Sequence, residues 1–156
     1  MDKDQARFER GFSLLELAIV TGVIALVTIV SITSYKATTL DKKFSQADRD
    51  LKTLKTAVMS YWRHNRLVFP QDVHRTLAST QPGVISETLK DPWITDPKTS
   101  GYGFVKAMDS NLGEYFILYT QGPERDTKPR LNSTLQVIEY SGSGLVVSNL
   151  PIKKLN

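Results

Sequence analysis

The chain has no cysteine among its 156 residues. That absence excludes disulfides, thiolate metal sites and thiol nucleophiles together, while leaving the compartment open. The cations are scattered without interleaved aromatics, so a formal charge of +4 does not point to nucleic acid. Between Val23 and Phe69 there is neither glycine nor proline, and the nineteen residues from Leu17 to Tyr35 carry no formal charge. The first absence permits one uninterrupted helix, and the second permits that helix to meet lipid. Catalytic constellations are missing too. His64 and His74 read as surface histidines, no paired-histidine spacing suits zinc, and there is no serine elbow. Neither Gly101-Tyr102-Gly103 nor Gly142-Ser143-Gly144 is a phosphate loop, since neither opens a helix. No catalytic residue is assigned, and the chain does not read as an enzyme. With 40% hydrophobic and 23% charged residues it is too apolar for disorder, and it reads as one modest domain with an appended segment.

What the sequence does contain is RGFSLLELAIVTGVIALVTIVSI, beginning at Arg10. Phe12 to Ile32 is an apolar run of twenty-one residues if Glu16 is admitted. About twenty helical residues at 1.5 Å each cross the roughly 30 Å hydrocarbon layer. A single transmembrane helix is therefore expected. Ser13, Thr21, Thr28 and Ser31 do not oppose it, because a helical hydroxyl can bond to the carbonyl one turn back. Gly22, spaced from Ala18 and Ala25, allows a close helix neighbour. A cleaved secretory signal fits less well, since an acid lies inside the run and Ser31-Ile32-Thr33 is a poor cleavage site. The run also exceeds what a small domain usually hides. Against a plain one-span anchor stands Glu16. An acid at a helix centre in lipid costs about 2.5–3.5 kcal/mol and usually has a partner.

The residues Gly11-Phe12-Ser13-Leu14-Leu15-Glu16-Leu17 resemble the prepilin-type cleavage and methylation motif of type IV pilins and type II secretion pseudopilins. The resemblance implies that a membrane prepilin peptidase cuts after Gly11 and methylates Phe12, leaving a 145-residue mature chain. A bare glycine backbone can lie extended in a protease cleft. The resemblance also implies a partner for Glu16, the new N-terminal amine of a neighbouring subunit. Pairing lowers the cost of a charge in lipid and sets register. A second reading stays open, in which Glu16 faces the N-terminus of its own helix and its dipole. Two features depart from the family. Lys3, Arg7 and Arg10 are offset by Asp2, Asp4 and Glu9, while Lys36, Lys42 and Lys43 flank the far end, so orientation rests on the resemblance. Thr33 stands where many members have proline, which leaves no residue to make the proline kink.

Past the membrane run the periodicity continues. Leu40, Phe44, Ala47, Leu51, Leu54, Val58 and Tyr61 follow spacings of four and three, with Lys42, Lys43, Asp48, Arg49, Asp50, Lys52 and Lys55 mostly opposite. A helix from Phe12 to about Arg66, roughly 80 Å long, suits packing on a sheet better than a coiled coil, for which only about three heptads fit. Phe69-Pro70-Gln71-Asp72 stops it, and Asp72 is expected to cap a short helix, Val73 to Ser79. Ser86 to Lys90 reads as a helical turn. Tyr102 to Met108 and Glu114 to Thr120 read as strands around a turn at Asp109 to Gly113, and Thr134 to Tyr140 and Leu145 to Ser148 as a second hairpin around Gly142 and Gly144.

Asp91-Pro92-Trp93 and the stretch from Tyr115 to Asp126 are similar to the loop-and-strand region of the major pseudopilins, where that loop helps to bind calcium. The resemblance makes Glu124 and Asp126 calcium candidates. Calcium wants six to eight oxygens, and Lys128 and Arg130 follow with no further acid, so the ligand count favours a solvated loop.

The expected fold is α+β and pilin-like, a long N-terminal helix laid on a three- or four-stranded antiparallel sheet. Its parts are a leader (1–11), a transmembrane half (12–35), an amphipathic half (36–66) and a periplasmic globular region (67–156). The resemblance implies a pseudopilin of a type II secretion system, the general secretion pathway protein G type, held in the bacterial inner membrane. Its implied partners are the prepilin peptidase, copies of itself in a helical filament, minor pseudopilins, an inner-membrane platform protein with its assembly ATPase, and lipid. Lack of cysteine favours this over adhesive pilins that close a C-terminal loop with a disulfide. The alternatives are a type IV pilin or competence pseudopilin, or a single-span anchor for a periplasmic binding domain.

Overall fold

Helix α1 runs from Leu14 to His64. The computed structural model describes residues 13–79, 85, 89–96 and 101–155. Phe12, the expected start of the helix, lies outside them, as do residues 86–88 of the expected helical turn. The fold is α+β, with two compact units divided between Asp41 and Lys42.

Among the described residues the first unit is helix from Leu14 onward. Ser13 caps it, its Oγ accepting from the Leu15 amide at 3.3 Å. Eleven of the nineteen residues from Leu17 to Tyr35 are β-branched, a composition of modest helix propensity. The unbroken run of backbone bonds is therefore not explained by propensity. An apolar solvent, in which every unpaired amide is costly, would supply such a drive.

In the second unit α1 buries Ala47, Leu51, Leu54, Ala57 and Val58 on one stripe. The helix ends at His64, two residues short of the end expected near Arg66. Arg66 and Leu67 take left-handed φ angles of 54° and 61°, which turn the chain back. The Lys106–Glu114 ion pair (2.8 Å) then anchors the chain at Phe69. Glu114 Oε2 accepts from the Phe69 amide at 2.9 Å, and Lys106 Nζ donates to the Phe69 carbonyl at 2.9 Å. Helix α2 (Val73–Ser79) starts as expected, with Asp72 Oδ1 accepting from the amides of His74 and Arg75 at 2.9 and 3.1 Å.

Strands β1 (Gly103–Asp109) and β2 (Gly113–Tyr119) form the expected hairpin. The rest of the sheet differs from expectation. Among the described residues six strands make two three-stranded sheets, and β3 (Lys128–Asn132), read from sequence as loop, is one of them. It pairs antiparallel with β4 (Val137–Ser141), while β5 (Val146–Ser148) leaves β4 and pairs antiparallel with β2. The second hairpin is thus corrected. Gly144 is pressed against the Thr120 carbonyl and Thr127 Oγ1, leaving no room for a Cβ, and the Thr120 amide donates to the Leu145 carbonyl at 3.0 Å. Those contacts send β5 to the edge of the first sheet. Strand β6 (Ile152–Lys154) then returns to lie parallel to β4, so the second sheet is mixed.

Strand β2 is central, and Tyr115, Phe116, Ile117 and Leu118 are all buried. Successive side chains point to opposite faces. Phe116 and Leu118 meet Leu51, Leu54 and Val58 of α1 with Phe69, Val73 and Leu77. Tyr115 and Ile117 meet Ile138 of the second sheet. One strand serves two apolar layers.

Candidate functional site

Every Leu, Ile and Val from Leu14 to Ile32 is at least 44% exposed. Twelve such side chains cover all sides of the helix. At about 25 cal/mol per Å², leaving them in water forgoes on the order of tens of kcal/mol, more than a whole domain's stability of about 5–15 kcal/mol. This sleeve needs an apolar surrounding, and α1 is long and apolar enough to cross a membrane.

Its polar groups are satisfied internally. Thr21 Oγ1 donates to the Leu17 carbonyl at 2.9 Å, Thr28 to Ile24 at 2.8 Å, and Ser31 to Val27 at 2.7 Å. Thr33 shares its proton between the carbonyls of Ile29 and Val30. The hydroxyls that interrupt the apolar run thus present methyls and methylenes outward. Glu16 is the exception. It is the acid in the first turn of α1, exposed, and its charge has the sign that a helix N-terminus favours. Gly11 and Phe12, the expected cleavage and methylation residues, lie outside the described residues.

The expected calcium pair is divided in its roles. Asp126 Oδ1 accepts from the Ser143 amide at 2.8 Å and its hydroxyl at 2.7 Å. These two bonds hold the Asp126 carboxyl below its ordinary range, against a smaller opposing effect of desolvation. Glu124 is exposed, and its amide donates to Ser143 Oγ at 3.1 Å. Donors, not further oxygens, therefore converge on Asp126. Among the described residues no group of three metal-ligating side chains gathers.

Sequence reasoning missed Asp91. Its carboxylate is buried and saturated: Oδ1 accepts from the Trp93 amide (3.0 Å) and Thr120 Oγ1 (2.8 Å), and Oδ2 from the Gln121 amide (2.9 Å). It ties the Asp91-Pro92-Trp93 turn to the end of β2. The sequence showed the turn, but the two partners lie twenty-nine and thirty residues away. A second tie was equally hidden. Buried Tyr102 donates its hydroxyl to Asp50 Oδ2 at 2.8 Å. Desolvation and then that bond push the Tyr102 phenol far above its usual value, so the phenol keeps its proton. Both are struts of the second unit, with no chemistry of their own.

Compared with family models, curated proteins and solved structures, the chain matches none.

Proposed function

We propose that the chain is a pilin-like filament subunit, nearest the major pseudopilin of type II secretion. It waits in the inner membrane with residues 42–156 in the periplasm. What carries the reading is the bare apolar sleeve from Leu14 to Ile32, bearing one acid, Glu16, a turn after the prepilin-type Gly11-Phe12. A plain anchor has no use for that acid. A subunit that moves from lipid into a fibre does. The sleeve exchanges lipid for neighbouring helices, and Glu16 meets the amine that cleavage exposes at Phe12. Peptidase, platform protein and ATPase enter with this reading, and the fibre drives export. Type IV pilus or competence roles are the neighbouring alternative.

The test is the intact mass and N-terminal sequence of the chain purified from cells with a working prepilin peptidase. A start at N-methylated Phe12 is expected. Retention of Met1 to Gly11 there sinks the proposal and leaves an anchored domain. Glu16→Ala is expected to insert and be trimmed normally, yet to give fibres at a small fraction of the normal yield.

A further inference from the structure

Segment 42–66 holds seven cationic residues against two acids. Both acids are engaged by partners. Asp50 is turned to Tyr102, and Asp48 is paired with Lys52 at 2.7 Å. On a helix of 3.6 residues per turn, positions 42, 49, 52, 53, 56 and 63 share one side. They are Lys42, Arg49, Lys52, Thr53, Thr56 and Arg63, and all are exposed. Asp41 and Asp48 border that side, and Asp48 is paired with Lys52. Among the described residues Lys42, Arg49 and Arg63 have no ion-pair partner.

Shape accompanies the charge. A shallow open depression of about 460 Å³ lies over Lys52, Thr53, Thr56, Ala57 and Ser60. The hydroxyls of Thr53 and Thr56 are turned back to the carbonyls of Arg49 and Lys52 at 3.0 and 2.9 Å. The middle of the stripe is therefore a floor of small side chains, with cations at its rims and ends. Small residues let a second helix approach closely, and flanking cations select its sign.

We propose that this face of α1 docks an acidic helix of a different protein. A second copy offering the same face would set cation against cation, which is unfavourable. The described residues of this chain from Leu89 onward hold as many acids as bases, so they carry no net negative charge to attract that face. Nucleic acid is disfavoured because no aromatic interleaves the cations for base stacking. The inference is independent of the filament reading and holds equally for an anchored domain.

The test uses the full chain in detergent micelles and a fluorescent helical peptide of Ala and Glu, read by anisotropy. Binding is expected to weaken from 50 to 200 mM salt. Arg49→Glu with Lys52→Glu is expected to weaken it roughly tenfold or more. The same charge change at Lys153 and Lys154 should leave it unaltered. Thr56→Trp fills the floor without altering charge and should also weaken binding roughly tenfold. A Thr56→Trp chain that binds normally reduces the surface to diffuse charge and overturns the proposal. So does equal loss from the Lys153 and Lys154 reversals, or a duplex DNA oligonucleotide that outcompetes the peptide. Circular dichroism of each variant separates lost binding from lost fold.

Discussion

From Leu14 to Asp41, α1 buries no side chain, whereas from Lys42 to His64 it buries Ala47, Leu51, Leu54, Ala57 and Val58. The backbone geometry is the same on both sides. What differs is where polar groups find partners. In the first region the hydroxyls of Thr21, Thr28 and Ser31 turn back to their own helix. In the second, Asp50 reaches Tyr102 of the sheet region, fifty-two residues away. One region asks its surroundings for a solvent, and the other asks for specific neighbours.

The largest test of that contrast is a pair of truncations on the one helix. Leu54→Ala is expected to destabilise the second unit by about 2–5 kcal/mol, the transfer of the lost atoms plus a cavity. Ile24→Ala should leave the unfolding midpoint of that unit unchanged. Urea titration in micelles reads both, because Trp62 and Trp93 report on the second unit alone. A comparable loss from Ile24→Ala would break the comparison.

Next comes Asp91. Asp91→Ala strands two buried donors and one half-buried one, at about 1–3 kcal/mol for each buried donor before relaxation, so a net loss of roughly 2–4 kcal/mol is expected. Asp91→Asn keeps an acceptor and should recover part of it. Equal losses from both variants would show that charge, not acceptor count, holds the turn.

The contrast also explains what was legible. Period and composition are enough for α1, because its stripe at Ala47, Leu51, Leu54 and Val58 is local. The β1–β2 hairpin was legible for the same reason. The second sheet was not. Strand β3 carries Pro129 between two cations, a pattern that reads as loop, and only its pairing with Val137–Ser141 makes it a strand. The false hairpin at Gly142 and Gly144 came from treating glycines as turn makers. Gly144 is instead demanded by close approach to Thr120 and Thr127. A usable signal lay in Tyr115 to Tyr119. Five apolar or aromatic residues without alternation announce a strand covered on both faces, hence a second layer. Of the site, Glu16 was legible because an acid in an apolar run is conspicuous. The cationic face of α1 also follows from helical spacing, and only the Asp50–Tyr102 and Asp48–Lys52 pairs needed the structure.

An acid titration sharpens the contrast further. Burial pushes the Glu114 carboxyl up, but the Lys106 ammonium and the Phe69 amide outweigh it, leaving it below its ordinary 4.5. A depressed folded value means stability present above about pH 4.5 and lost as pH falls through that folded value. Glu114→Gln should flatten this acid limb of the second unit, with helicity of the first unaffected. An unchanged limb would assign it to other carboxylates.

The smallest effect compares two hydroxyls. Ser143 Oγ bridges two loops, donating to Asp126 and accepting from the Glu124 amide, whereas Thr28 Oγ1 serves only its own helix. Ser143→Ala removes one of the two bonds that hold Asp126 down and keeps the other, the amide bond, whose effect on the carboxyl is the larger. The Asp126 carboxyl should therefore rise part of the way toward its ordinary value, read as an NMR titration of its side-chain carbon. Thr28→Val should move neither that titration nor the unfolding midpoint. If Ser143→Ala leaves Asp126 where it was, the amide alone orders the loop. The hydroxyl then has the same standing as Thr28, and the difference between the two regions rests on apolar burial, not on polar ties.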